Sequence, residues 1–164
     1  MLQVLKENKL FLHPENEVSI DLVKVAGVRE WPTPENKTDV QAFLGFVNFY
    51  RRFIRNFSAK ARPFFDLTCS EQVWTWSRRE QAAFEDLKTA VTTAPVLVSL
   101  QKSDPFRIEA DSSDFTTGTV LSQQSMTDGK WHPIAFYSKS LSSMEQNYKI
   151  HDKEMLAIIC ALKE

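Results

Sequence analysis

The 164-residue sequence is short of the features that mark several common architectures. Its two cysteines, Cys69 and Cys160, lie far apart and show no Cys-x-x-Cys spacing, which argues against a disulfide framework or a thiolate zinc site and fits a reducing, intracellular compartment. No apolar run is long enough to span a bilayer, so no membrane partner is expected. Met1 opens a mixed pattern (Leu2, Leu5, Lys6, Lys9) rather than a secretory signal, and the chain is expected to be unprocessed and soluble. Charge of one sign is also missing: 20 Lys+Arg against 21 Asp+Glu leave a net charge of −1. Attraction to nucleic acid must therefore come from a local patch. Glycine is scarce, with four residues, and neither a phosphate-binding glycine loop nor Gly-x-Ser-x-Gly occurs. What is plentiful is phenylalanine, twelve residues, which can fill a core or offer stacking faces.

Met1 to Leu12 reads as a short helix, followed by a weakly patterned stretch to Val28. Trp31-Pro32-Thr33-Pro34 is a stiff extended entry. Thr38 and Gln41 form a capping-box pattern ahead of Val40, Phe43, Leu44 and Val47, which predicts a helix over Lys37 to Asn48 and a further turn through Tyr50 to Ile54. Ser77 and Glu80 form a second box, with Phe84, Leu87 and Val91 as the apolar stripe of a helix from Arg78 to Thr92 and Pro95 just beyond it. The period then turns to alternation in Phe106 to Asp111, Thr117 to Gln123 and Trp131 to Ser138, three strands of an antiparallel meander. Thr127-Asp128-Gly129-Lys130 supplies the turn between the last two. Helical spacing returns from His151 through Met155, Ile158, Ile159 and Leu162, and this helix is expected to be cut off rather than finished. The expected class is α+β: a helical part over 1–94 and a βββα unit over 95–164.

Two groups of residues could carry chemistry. Between Asp39 and Asp66 no acidic residue occurs, while Arg51, Arg52, Arg55, Lys60 and Arg62 alternate with Phe46, Phe49, Tyr50, Phe53 and Phe57. Guanidinium groups pair with phosphates and rings stack on bases, so the mixture suits a nucleic-acid surface; equally, the rings can be core and the cations a solvated rim. Asp111 falls at the end of the first meander strand and Glu154 in the first turn of the last helix. A strand and a helix packed together could aim both carboxylates at a hard cation such as Mg²⁺. The plainer alternative is a turn-forming aspartate and a glutamate that complements the helix dipole.

The strings Phe43-Leu44-Gly45-Phe46-Val47-Asn48-Phe49-Tyr50-Arg51-Arg52-Phe53-Ile54, Trp74-Thr75-Trp76, Glu109-Ala110-Asp111-Ser112-Ser113-Asp114, Gly118-Thr119-Val120-Leu121-Ser122-Gln123 and Pro133-Ile134-Ala135-Phe136-Tyr137-Ser138, with Asn147-Tyr148 through Leu162, resemble the Pol polyprotein of gypsy-type LTR retrotransposons. The resemblance covers nearly the whole chain, in the family's order. It implies the thumb or connecting region of a reverse transcriptase, then the first half of an RNase H-like domain, truncated. The family copies RNA into DNA and cuts the RNA strand of the hybrid using two Mg²⁺ ions, so the implied partners are an RNA–DNA hybrid or template-primer duplex and the remaining parts of Pol.

By this resemblance Asp111 and Glu154 are metal-binding catalytic carboxylates, and Phe49, Tyr50, Arg51, Arg52, Arg55, Lys60 and Arg62 form a duplex-contacting segment. The Tyr-x-Asp-Asp signature of the polymerase is absent from the sequence. The flanks Leu10 to Glu15 and Glu17 to Asp21 are nearly joined, as if the family's intervening hairpin had been deleted. The later aspartates of the RNase H site are not expected within these 164 residues. The resemblance therefore implies an incomplete metal cage and a chain that alone hydrolyses little or nothing.

Overall fold

The computed structural model describes residues 10–12, 17–20, 22–69, 72–101 and 103–163. A small antiparallel sheet is made of β1 (Leu10–Leu12), β2 (Glu17–Ile20) and β3 (Leu97–Val98), in the order β1-β2-β3. The helix expected over Met1 to Leu12 is not what Leu10–Leu12 adopt. They pair with β2 in the register Leu10↔Ile20, Phe11↔Ser19, Leu12↔Val18, a local antiparallel pairing that overrides helical spacing; residues 1–9 lie outside the described residues. β3 closes this sheet although it follows the helices in sequence.

Four helices fill the middle of the chain: α1 (Leu22–Arg29), α2 (Lys37–Asn48), α3 (Phe57–Thr68) and α4 (Arg78–Thr92). A single 3₁₀ turn, Arg51–Phe53, joins α2 to α3. The expected span of α2 is observed, but its cap is different. Asn36 rather than Thr38 accepts the bond from Asp39 N, at 3.0 Å, because Asn36 is extended whereas Thr38 is already helical. The Ser77–Glu80 box on α4 is formed in both directions.

α3 is a helix that the apolar spacing did not announce. Pro63 sits inside it, removing one helical hydrogen bond, and Arg and Phe interrupt the pattern. Burial of Phe57, Ala61, Phe64 and Leu67 on one face holds it helical. The rings of Phe43, Phe64, Phe84 and Trp76 meet at centroid distances of 4.7 to 6.1 Å, in edge-on, tilted and stacked pairs, and form the centre of the core.

The expected meander is observed as β4 (Phe106–Ser112), β5 (Thr116–Gln124) and β6 (Trp131–Ser140), in the order β4-β5-β6. Gly129 in the β5–β6 turn has φ +68° and takes the left-handed conformation that its turn requires. A bulge opposite Leu121/Ser122 accommodates Pro133 in β6.

Helix α5 (Ile150–Ala161) packs on one face of this sheet, where Thr119 Oγ1 donates to Ala157 O at 3.4 Å. The other face docks on the helical part. Ser58 N donates to Ser138 Oγ at 2.9 Å, Phe136 packs against the aromatic core, and Gly118 lies so close to Asn56 that a Cβ there would collide with the Asn56 side-chain oxygen. The architecture is α+β, as expected.

Candidate nucleic-acid interface and carboxylate pair

The α2 helix buries Val40, Phe43 and Val47 and turns its opposite side outward. On that outer side lie Gln41, Gly45 and Phe49, four residues apart. Phe49 continues the helical path, with φ −60° and ψ −32°, and is 44% exposed. A glycine inside a helix costs roughly 0.5–1 kcal/mol relative to alanine. No contact among the described residues explains that cost, because beyond its own helix backbone a Cβ on Gly45 would meet no atom of them within 4 Å. The strip is therefore smooth at its centre, amide-bearing at one end and aromatic at the other. Gln41 and Gly45 were not among the residues singled out from sequence; the available signal was a glycine on the polar face of an otherwise well-patterned helix.

The seven residues expected to contact a duplex fall into different environments. Phe49 is exposed, with its ring edge-on to Tyr50 at 5.0 Å. Tyr50 is 3% exposed and belongs to the core. Arg51 donates to the main-chain oxygen of Ser138 at 2.6 Å and lies 5.9 Å from the Tyr137 ring centre, which ties the 3₁₀ turn to β6. Lys60 is paired with Asp86 at 2.7 Å. Arg62 is paired with Asp66 at 2.8 Å and covers the Phe115 ring at 5.1 Å. Burial works against the Asp66 carboxylate, yet hydrogen bonds from Arg79 and Arg62 hold its pKa below the ordinary value. Arg52 and Arg55 remain exposed and without an acidic partner among the described residues, just beyond Phe49.

Asp111 and Glu154 lie on elements that pack together. In β4 the exposures alternate: Ile108, Ala110 and Ser112 are half-buried on the side that α5 covers, and Asp111 is exposed on the other. Lys153, 4% exposed, reaches Asp114 at 3.5 Å, which sets the first turns of α5 beside the loop that follows β4. Both carboxylates thus belong to the same end of the sheet, but Asp111 is on the face away from α5 and Glu154 is exposed on α5, so the structure does not bring them together on one face; neither has an ion-pair partner among the described residues.

At that end Ser112 Oγ and Thr117 Oγ1 are buried without a hydrogen-bond partner, on strand positions directly opposite each other. Two carboxylates are hard oxygen donors of the kind Mg²⁺ takes. Among the described residues no group of three or more His, Cys, Asp or Glu comes together to hold a metal, so the donor set is partial.

Residues 76–164 match the model of the RNase H-like domain found in reverse transcriptase. The Transposon Tf2-3 and Tf2-4 polyproteins of Schizosaccharomyces pombe are each 38% identical over 136 residues, which is 83% of this chain and 10% of each polyprotein. The chain thus spans about a tenth of the length of these relatives. Among solved structures, the foamy viral protease-reverse transcriptase in complex with an RNA/DNA hybrid superposes with a TM-score of 0.75 at 19% identity, over 94% of this chain and 21% of that one. The same enzyme in complex with dsDNA gives 0.73 at 21% identity, over 88% and 30%. At these identities the likeness is one of fold.

Proposed function

The chain belongs to the family of RNase H-like domains found in reverse transcriptase, and on that premise we propose that it is a duplex-gripping portion of a retrotransposon reverse transcriptase/RNase H polyprotein. The division between the gripping helices and the RNase H-like part falls near residue 95. The Gln41–Gly45–Phe49 strip lies along the duplex, and Arg52 and Arg55 pair with its phosphates. The single observation that carries this reading is the open space over Gly45, which lets another molecule approach the helix backbone between a planar amide and an exposed ring. The hybrid named with the foamy viral neighbour supports the choice of ligand. The other six residues expected from sequence have different parts: Tyr50, Arg51, Lys60 and Arg62 hold the helices that present the strip, while Asp111 and Glu154 belong to the cleavage site.

The family generally uses divalent metals, and Asp111 and Glu154 would hold Mg²⁺ at the β4–α5 end of the sheet. A metal ion there would polarise the scissile phosphate and activate a water. The donors that complete the set come from other segments of a longer polyprotein, so the 164-residue chain binds hybrid without cleaving it.

The test is a labelled RNA–DNA hybrid titrated with the chain at several salt concentrations, with Mg²⁺ or EDTA, reading binding and RNA cleavage in the same samples. Salt-sensitive binding is expected, and the Arg52→Ala/Arg55→Ala pair should reduce the slope of log affinity against log salt by about 2. Gly45→Leu should weaken binding while leaving the fold intact. An unchanged slope and affinity in these variants would refute the strip. Mg²⁺-dependent cleavage that disappears in Asp111→Asn would refute the partial site.

A further inference from the structure

Asp111 faces away from α5, and the sheet register sets what it meets on that side. Asp111 is directly opposite Gly118, and Gly118 is directly opposite Ser138, so the three residues form one row across β4, β5 and β6. Residues so paired share a face, with Cβ atoms about 4.5–5.5 Å apart. The start of α3 stands on this row. Ser58 N donates to Ser138 Oγ at 2.9 Å, and a Cβ on Gly118 would run into the Asn56 side-chain oxygen and lie 3.2 Å from its Cγ. The Asn56 carboxamide therefore occupies the place of a side chain at position 118, one step along the row from Asp111.

Two local costs converge on this contact. Asn56, with φ +54°, is the only residue other than glycine that takes a positive φ among the described residues. Gly118 is a glycine inside a strand, where it gives up side-chain packing and lets another segment come close. Asn56 also forgoes the usual task of a residue at a helix start. Its side chain caps none of the α3 N–H groups, and Ser138 caps one instead. Backbone held in such a region clusters at functional sites.

We propose that Asn56 is a positioning residue for Asp111. An ionised carboxylate only accepts hydrogen bonds, a carboxamide carries two N–H donors, and neither side chain has a hydrogen-bond partner among the described residues. A half-turn about the Asn56 Cβ–Cγ bond exchanges Oδ1 and Nδ2 without changing the shape of the group. Asn56 Nδ2 donates to one Asp111 oxygen and leaves the other for a metal ion, since carboxylates that ligate metals are themselves held by hydrogen bonds. The inference rests on the reading of Asp111 as a metal ligand and adds to it a residue from the helical part. Arg52 and Arg55 lie just before Asn56, so the cations assigned to the phosphates and the group that orients Asp111 share one short segment.

The test uses Mn²⁺ in place of Mg²⁺, because its paramagnetism broadens the NMR signals of nearby amides. Titrating the full isotope-labelled chain should broaden the Asn56 side-chain amide together with the main-chain amides of Asp111 and Gly118, and Asp111→Asn should abolish the effect. Asn56→Gly suits the left-handed backbone, and in it the Mn²⁺ affinity read at Asp111 and Gly118 should fall about tenfold. Ser138→Ala loosens the same junction from the other side of Gly118 and should leave that affinity unchanged. If Asn56→Gly binds like wild type while Asp111→Asn still abolishes binding, the positioning role is overturned and the metal reading stands. Equal losses in Asn56→Gly and Ser138→Ala reduce Asn56 to a packing residue and also overturn it. Broadening that is absent, or indifferent to Asp111→Asn, removes the metal reading and the positioning role with it.

Discussion

The helical part and the β4-β5-β6 part are built to opposite standards of burial. Of the largest fully buried side chains, Phe43, Phe53, Phe57, Phe64 and Phe84 all belong to the helices, and the sheet part contributes only Thr117. The sheet part buries Val120, Ile134, Leu141 and Ala157 together with many polar groups, among them Thr116, Thr119, Ser122 and Gln123. It also leaves Phe106, Phe115, Met126, Met155 and Leu162 exposed. A helical bundle with an aromatic centre can stand on its own apolar burial. A three-stranded sheet with one helix on it needs the second face covered, and here the helices supply that cover through Ser58–Ser138, Asn56–Gly118 and Phe136.

The largest effect that breaks this contrast is Phe84→Ala. The ring is fully buried against Phe43 and Trp76, and its loss should cost about 3–5 kcal/mol. Because the sheet leans on the helices, both parts should unfold together in chemical denaturation; a sheet signal that survives the helical transition would show that the sheet does not depend on the helices. Gly118→Ala acts at the junction itself. The added methyl meets the Asn56 side-chain oxygen, which must move aside in the close junction between α3 and β5. A loss of about 1–3 kcal/mol is expected, with amide exchange rising in β4 to β6 more than in α2 and α4. Uniform exchange across both parts would contradict that asymmetry.

Ser138→Ala is a smaller cut at the same place. Asn56 makes no side-chain cap for α3, and the Ser138 hydroxyl supplies one from across the fold. Its removal should cost about 1 kcal/mol, measured as a shift of the denaturation midpoint, and Ser138→Thr should recover part of it.

The smallest effect concerns the Lys139–Glu145 pair, at 2.6 Å, which ties β6 to the turn before α5. The hydrogen bond from Lys139, aided by Ser142 N–H, holds the Glu145 carboxyl down to about 2 from its ordinary 4.5. A depressed carboxyl stabilises fully above the unfolded value, and that share disappears as pH falls from about 4.5 through about 2. Lys139 is raised by the same hydrogen bond, so its share is complete below 10.5 and is lost as pH rises beyond. Glu145→Gln should lower stability at neutral pH and flatten its decline between pH 4.5 and 2; an unaltered acid limb would remove the pair from the account.

Much of this fold is legible in local pattern. The stripe and caps of α4, the alternation of β4 to β6 and the Asp-Gly turn each depend on neighbours within one or two turns of chain, so the residues display them directly. α3 is hidden because Pro63 opposes a helix that only packing of Phe57, Phe64 and Leu67 enforces. β1 is hidden because its partners are Val18, Ser19 and Ile20, and a ladder has no signature in one strand alone. In the candidate interface, Asp111, Glu154, Phe49, Arg52 and Arg55 could be named from the residues, whereas Gln41 and Gly45 could be chosen only after the open side of α2 was known.

By itself, the amino-acid order determined the α+β class, the succession of helices then meander then helix, and the family resemblance, since all of these rest on periodicity and motif. Only the tertiary structure decided which of the interleaved cations have an acidic or main-chain acceptor. Arg51, Lys60 and Arg62 are engaged by Ser138, Asp86 and Asp66, acceptors as many as 87 residues away, while Arg52 and Arg55 face solvent. A charge reads the same in sequence whether it is paired or not, and what pairs it is a matter of three-dimensional proximity.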